Sequence, residues 1–185
     1  MESSIVISGF GGQGVLFAGQ LLAYAGMDAG LHVTWIPSYG PEMRGGTAHC
    51  TVIVGDEPIG APVVARPDVA IVLNLPSYDK YEPLVKPGGV LVVNSSLVTA
   101  VSERDDVTVI TVPANALSED VGGSPKMVNV AAVGAMLACV EVLTLPMVVE
   151  ALRGHLPKSK AHLLEANFAV LQAGYDAAVA QVVVR

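Results

Sequence analysis

The sequence predicts an α/β fold, a Rossmann-like, doubly wound and mostly parallel sheet with a small antiparallel decoration. Three observations carry that prediction. Short, wholly apolar runs at residues 5–7, 69–73 and 90–93 read as strands buried on both faces. Helix-length segments alternate with them, as crossover connections require. A glycine-rich turn, Gly9-Phe10-Gly11-Gly12-Gln13-Gly14, joins the first apolar run to the first helical stretch, the usual place for a ligand-binding turn in such folds. A length of 185 residues fits one domain over 1–185.

Each element follows in order. Ile5-Val6-Ile7 is the first strand. Gly14 opens a helix to about Gly30, with Leu16, Leu21, Leu22 and Ala25 on its apolar face and Gly30 as a C-terminal cap. Val33 to Ile36 is the second strand, stopped by Pro37. Thr47 to Val54 alternates like a strand and ends in a Gly55-Asp56-Glu57-Pro58 turn, after which an extended piece near Ile59 would return antiparallel to it. Val69 to Leu73 is a strand, Ser77 to Leu84 a short helix and Lys86-Pro87-Gly88-Gly89 a loop. Val90 to Val93 and Val107 to Val112 complete the strands. Helices are predicted at Asn129–Leu143, Met147–Arg153 and Ala161–Val182.

Composition narrows the function. Half the chain, 52%, is hydrophobic, enough for a core without disulfides or metal. Only 15% is charged, which fits either an Ala/Val-rich core or a surface partly covered by a partner. A net charge of −7 without a basic cluster speaks against nucleic acid. The two cysteines, Cys50 and Cys139, lack metal-ligand spacing, so no iron–sulfur or zinc site is expected on this chain alone, and both read as small core residues. The start, Met1 to Ser4, has no basic region of a signal peptide, and the apolar run from Val128 to Leu145 is interrupted by Asn129, Gly134 and Glu141. It reads as a buried helix and not a membrane span. A reduced, cytoplasmic setting is expected.

Two segments are candidates for function. Gly9, Gly11 and Gly14 permit a tight turn and close approach of a ligand, and the helix behind offers free N–H groups to an anion; Gly12 and Gln13 lie within the turn. The acid that would hold a ribose is missing from the end of the second strand, where the chain reads Ile36-Pro37-Ser38, so a dinucleotide is disfavoured. An anion, a partner loop, or a tight crossover alone are the readings left open. The second segment, Tyr39-Gly40-Pro41-Glu42-Met43-Arg44-Gly45-Gly46, turns sharply at both ends. Tyr39, Glu42, Arg44, Gly45 and Gly46 are candidate contacts to a cofactor or partner; an internal Glu42–Arg44 clamp is the structural alternative. Asn74 and Asn94 end strands on the same edge and could line a shared cleft. His49 reads as structural, His32, His155 and His162 lack partners at metal-ligand spacing, and no catalytic constellation is evident.

The glycine turn with Val15, and the run from Pro37 to Thr47, closely resemble the gamma subunit of 2-oxoacid:ferredoxin oxidoreductases. Pro67-Asp68, Lys86-Pro87-Gly88-Gly89 and Asn94-Ser95-Ser96 extend the resemblance, which covers about residues 5 to 180. It implies a complex that oxidatively decarboxylates a 2-oxoacid, acylates coenzyme A and reduces ferredoxin. It implies thiamine diphosphate and Mg between alpha and beta subunits, and iron–sulfur clusters in beta or in a ferredoxin-like delta subunit. The gamma chain would hold none of these cofactors by itself and would help to form the coenzyme A site. The implied substrate is 2-oxoglutarate, with pyruvate, branched-chain oxoacids and indolepyruvate as alternatives. A free-standing Rossmann-type nucleotide-binding protein, or an interaction module of another complex, are the competing readings.

Overall fold

A computed structural model describes residues 1–38 and 47–182. Its strands are β1 (Glu2–Phe10), β2 (His32–Ser38), β3 (Thr47–Gly55), β4 (Val69–Val72), β5 (Val90–Asn94) and β6 (Thr108–Val112). Its helices are α1 (Val15–Asp28), α2 (Leu75–Tyr81), α3 (Ala114–Asp120), α4 (Val128–Leu137), α5 (Leu145–His155) and α6 (Leu164–Val182). Tight 3-10 turns cover Glu82–Leu84, Pro125–Met127 and Lys158–Leu163.

The strands form one sheet in the order β2-β3-β1-β4-β5-β6. β1, β4, β5 and β6 are parallel neighbours. Side chains alternate between two cores. Ile5, Ile7, Ile71, Val92 and Ile110 lie in the core shared with α1, α4, α5 and α6. Val6, Ala70, Val72, Leu91 and Val93 lie in the opposite one with Tyr78, Tyr81 and Val85. Burial on both faces is why these strands read as unbroken apolar runs, and each buried Ile, Leu or Val contributes about 1.5–3 kcal/mol.

The mostly parallel α/β sheet is as the sequence predicts, but its antiparallel part is arranged differently. No strand forms after Gly55 to return near Ile59. Instead β3 is itself the antiparallel strand, set inside the sheet and paired to β1 on one side and β2 on the other. Connection length explains this. Residues 39–46 are too few to carry β2 into a parallel neighbour, which needs about a dozen residues of crossover. Helix bounds also shift. The helix expected over Asn129–Leu143 stops at Leu137, because Ala138 and Cys139 close onto the Ala135 and Met136 carbonyls in a tightened last turn. Cys139 therefore lies beyond the helix. The last helix begins at Leu164, its expected first residues forming a 3-10 turn. The seven-residue α3 was not foreseen, its Ala-Asn-Ala-Leu-Ser-Glu-Asp stretch being too short to show a period.

Two of the short motifs meet at the amino edge of the sheet. Asp68 Oδ1 pairs with Lys86 Nζ at 2.8 Å, and its Oδ2 accepts from the Ser4 N–H at 2.9 Å and the Ser4 hydroxyl at 2.5 Å. Pro67-Asp68 and Lys86 to Gly89 thus clasp β1, β4 and β5 together, away from the glycine turn. Partial burial pushes the Asp68 carboxyl up, but Lys86 and the two Ser4 donors outweigh it and hold the pKa below the usual value. A depressed folded-state pKa stabilises the fold above the unfolded carboxyl value, about 3.9, and that contribution is lost as pH falls through the folded value. Asp68→Asn is therefore expected to flatten the acid side of the stability curve. Urea midpoints between pH 3 and 6 check this; a slope equal to that of the wild type would contradict it.

At the other end of the sheet, β6 is a free edge. The Gln181 carboxamide on α6 accepts from the Thr111 N–H at 3.1 Å and donates to the Thr111 carbonyl at 2.7 Å, standing in for one residue of a neighbouring strand.

Candidate functional site

The carboxyl ends of β1, β4 and β5 lie side by side, and one carbonyl holds them in register. Leu73 O accepts from Gln13 Nε2 in the glycine turn and from Asn94 Nδ2 at the end of β5, both at 3.2 Å. Gln13 Oε1 in turn accepts from the Phe10 N–H at 2.6 Å and from Asn74 Nδ2 at 3.5 Å. Asn74 caps α2 by accepting from the Ser77 N–H at 2.9 Å. Asn94 accepts from the Ser96 and Ala114 N–H groups and donates to Asn115 Oδ1 at 3.0 Å. The sequence-predicted residues Gln13, Asn74 and Asn94 are thus brought together. Asn74 and Asn94 are buried at 1% and 0% exposure, and their amides bind the frame of the turn.

The surface of the site is the turn itself. Gly11 and Gly12 are exposed. Gly12 and Gly14 have φ of +94° and +74°, backbone that side chains disfavour. A Cβ at Gly12 would meet nothing within 4 Å, so that peptide is open to a ligand; one at Gly9 would fall 2.7 Å from Gln13 Oε1 and 3.0 Å from Leu73 Cβ. Gly14 caps α1 without a side-chain acceptor, and the first bond to its carbonyl comes from Ala18. Among the described residues, the first-turn N–H groups of Val15, Leu16 and Phe17 consequently have no intrahelical acceptor, a ready site for an anion's oxygens.

Around this turn stands an apolar rim. Phe10 ends β1, Leu75 and Leu97 follow the ends of β4 and β5, and the three are 41%, 45% and 47% exposed. Ser38 and Thr47 flank residues 39–46 at the same edge, Thr47 pairing with Phe10. Tyr39, Glu42, Arg44, Gly45 and Gly46 lie outside the described residues.

Cys50 is buried against Val15 O, and burial pushes its thiol up to about 12, far from the thiolate a metal would need. Burial also raises Cys139. Among the described residues no three His, Cys, Asp or Glu side chains converge to hold a metal ion, and no helix is long and apolar enough to cross a membrane. His155 joins α5 to α1, stacked on Tyr24 at 4.0 Å and 2.9 Å from Asp28.

Sequence reasoning missed Asn115 and Asn129. Asn115 sits in the unforeseen α3. Asn129 of α4 donates from Nδ2 to Gly14 O at 3.0 Å across 115 positions. Its only signal was a lone amide in an apolar run.

The family model for pyruvate ferredoxin/flavodoxin oxidoreductase matches residues 4–177. The chain belongs to this family. The ketoisovalerate oxidoreductase subunit VorA of Methanothermobacter marburgensis is 35% identical over 176 residues, which is 95% of this chain and 36% of that one. The chain therefore spans about a third of that relative's length. The 2-oxoglutarate synthase subunit KorC of Methanocaldococcus jannaschii is 32% identical over 180 residues, 96% of this chain and 95% of its own. Among solved structures, the keto/oxoacid ferredoxin oxidoreductase gamma subunit from Geobacter sulfurreducens is similar at a TM-score of 0.82 and 31% identity, over 96% of this chain and 99% of that one. The relatives of this oxidoreductase-family chain are thus named as subunits of larger enzymes.

Proposed function

We propose that this chain is the gamma subunit of a multi-subunit 2-oxoacid:ferredoxin oxidoreductase, where it helps to assemble the complex and to form its coenzyme A site. The end-to-end match to KorC, 95% of that relative's length, carries the reading. The reaction is the coenzyme A-dependent oxidative decarboxylation of a 2-oxoacid, yielding acyl-CoA, CO2 and reduced ferredoxin. The proposed substrate is 2-oxoglutarate. A branched-chain oxoacid is the second reading, favoured by the 35% identity to VorA.

The glycine turn fits an anionic group of coenzyme A: its open Gly12 peptide and the free N–H groups of α1 supply donors without a competing side chain. Coenzyme A, when bound, supplies the thiol that accepts the acyl group. This chain's own residues bind, orient and exclude water. Gly11, Gly12 and Gly14 offer backbone to the ligand, while Gly9, Gln13, Asn74 and Asn94 hold that backbone in place. Tyr39, Glu42, Arg44, Gly45 and Gly46 add the contacts of the second loop. The rim of Phe10, Leu75 and Leu97 is the proposed seat for the alpha and beta subunits. Thiamine diphosphate, Mg and the iron–sulfur clusters are proposed to belong to those subunits or to a ferredoxin-like delta subunit. Ferredoxin is the proposed acceptor and the cytoplasm the proposed setting; the net charge of −7 supports a role without nucleic acid.

Viologen reduction by co-expressed alpha and beta subunits, with and without this chain, tests the proposal across a panel of 2-oxoacids. Turnover that needs both this chain and coenzyme A supports it, and the preferred oxoacid names the substrate. Failure of the chain to co-purify or alter turnover overturns it. In the assembled enzyme, Arg44→Ala is expected to raise the KM for coenzyme A about tenfold, as loss of one charge-assisted contact does. Unaltered kinetics together with unaltered assembly would remove Arg44 from the site.

A further inference from the structure

One buried side chain beneath the glycine turn is only half satisfied. Asn129 is 2% exposed. Its Nδ2 donates to Gly14 O, but its Oδ1 has no hydrogen-bond partner among the described residues. The orientation of the amide is dictated by its neighbour, because reversing it would set two acceptors, Oδ1 and Gly14 O, against each other. Gln13, Asn74 and Asn94 at the same edge use both ends of their amides. Asn129 does not, although it stands in an otherwise apolar helix where leucine would avoid burying an unpaired oxygen.

What the arrangement gains is control of one peptide. Gly14 O accepts from Asn129 Nδ2 and from the Ala18 N–H, both at 3.0 Å. Gly14 is also the N-cap of α1 at φ +74°, so the tilt of its peptide sets the direction of the N–H groups that follow. The amide lies hard against it: a Cβ at Gly14 would fall 2.7 Å from Nδ2 and 3.0 Å from Oδ1.

We propose that Asn129 is a positioning residue for the ligand-binding turn. Through Gly14 it fixes the aim of the Val15, Leu16 and Phe17 N–H groups at the oxygens of an anionic ligand. The unpaired Oδ1 is tolerated because the donor half of the amide is needed there. The inference rests on the reading of this turn as part of the coenzyme A site.

Asn129→Leu separates positioning from stability through the split between KM and kcat. It removes the unpaired oxygen and the bond to Gly14 O at the same branching, but its methyl groups are bulkier than the amide against a close neighbour, so a modest fall in melting temperature is expected. In the assembled complex the KM for coenzyme A is expected to increase about tenfold, with the loss falling on KM more than on kcat. Asn129→Asp adds a pH signature. The ionised carboxylate repels Gly14 O, whereas the protonated acid can donate to it, so KM in that variant should recover toward the wild-type value as pH is lowered. A wild-type KM in Asn129→Leu overturns the positioning role and leaves the coenzyme A reading standing. If wild-type turnover is the same with and without this chain, the coenzyme A reading fails and the inference falls with it. If Asn129→Leu does not assemble, amide NMR shifts of Gly12, Gly14 and Val15 are followed in the full chain during titration with coenzyme A. Loss of the wild-type response supports the role; an unchanged response overturns it.

Discussion

Gly174→Ala is expected to destabilise the fold by about 3 kcal/mol or more, the upper range for overpacking a core. α4 and α6 cross with their backbones almost touching. A Cβ at Gly174 would overlap Ala131 O and lie 2.7 Å from the Ala131 carbonyl carbon, and one at Gly134 would overlap Leu171 O. The obstructing atoms are backbone, so no rotamer change relieves them and the helices must separate. α4 is buried along its whole length, and separation would open the core beneath it. Gly154 in α5 is the internal control: an added Cβ meets nothing within 4 Å, and Gly154→Ala should stabilise by about 0.5 kcal/mol through helix propensity alone. Urea unfolding of both variants measures the contrast. A Gly174→Ala midpoint close to wild type would mean that the helices do not approach so closely.

Asn94→Ala is expected to cost about 3 kcal/mol. The side chain makes four hydrogen bonds, to Leu73 O, Asn115 Oδ1, and the N–H groups of Ser96 and Ala114. Truncation leaves buried partners unsatisfied, at about 1–3 kcal/mol for each group that water cannot reach. It also removes the tie between β5 and the carbonyl that anchors Gln13, so the turn should loosen along with the fold. Asn74→Ala, which loses chiefly a helix cap, is expected to cost only about 1 kcal/mol. Chemical denaturation ranks the two, and faster amide exchange at Gly11 to Gly14 in Asn94→Ala would report the loosened turn. Equal losses in both variants would show that Asn94 does no more than cap.

The parts legible in the sequence are those whose cause is local. Strands buried on both faces announce themselves as apolar runs, and the turn at Gly9 to Gly14 needs glycines whatever it binds. The place of β3 was not legible, because alternation marks Thr47 to Val54 as a strand without naming its neighbours. The length of the 39–46 connection held that information. α3 is too short to show a period, and the end of α4 depends on two tightened turns with no glycine to mark them. The site divides in the same way. Gln13 could be found because it lies in the glycine turn, and Asn74 and Asn94 because they read as strand ends. Asn129 could not, since its role depends on contact with Gly14 across 115 positions, and nothing near it in the chain suggests that contact.

The clip on the edge of β6 has a consequence for the order of synthesis. Thr111 leaves the ribosome 70 residues before Gln181, the side chain that occupies its outward N–H and carbonyl. β5 is already available as its inner neighbour, so the strand can join the sheet early, with its outer side still a template for another strand. That exposure ends only when the last turns of α6 are made and dock. The growing polypeptide is thus open to mispairing at this edge throughout those 70 residues of synthesis, and Gln181 is the residue that closes the interval.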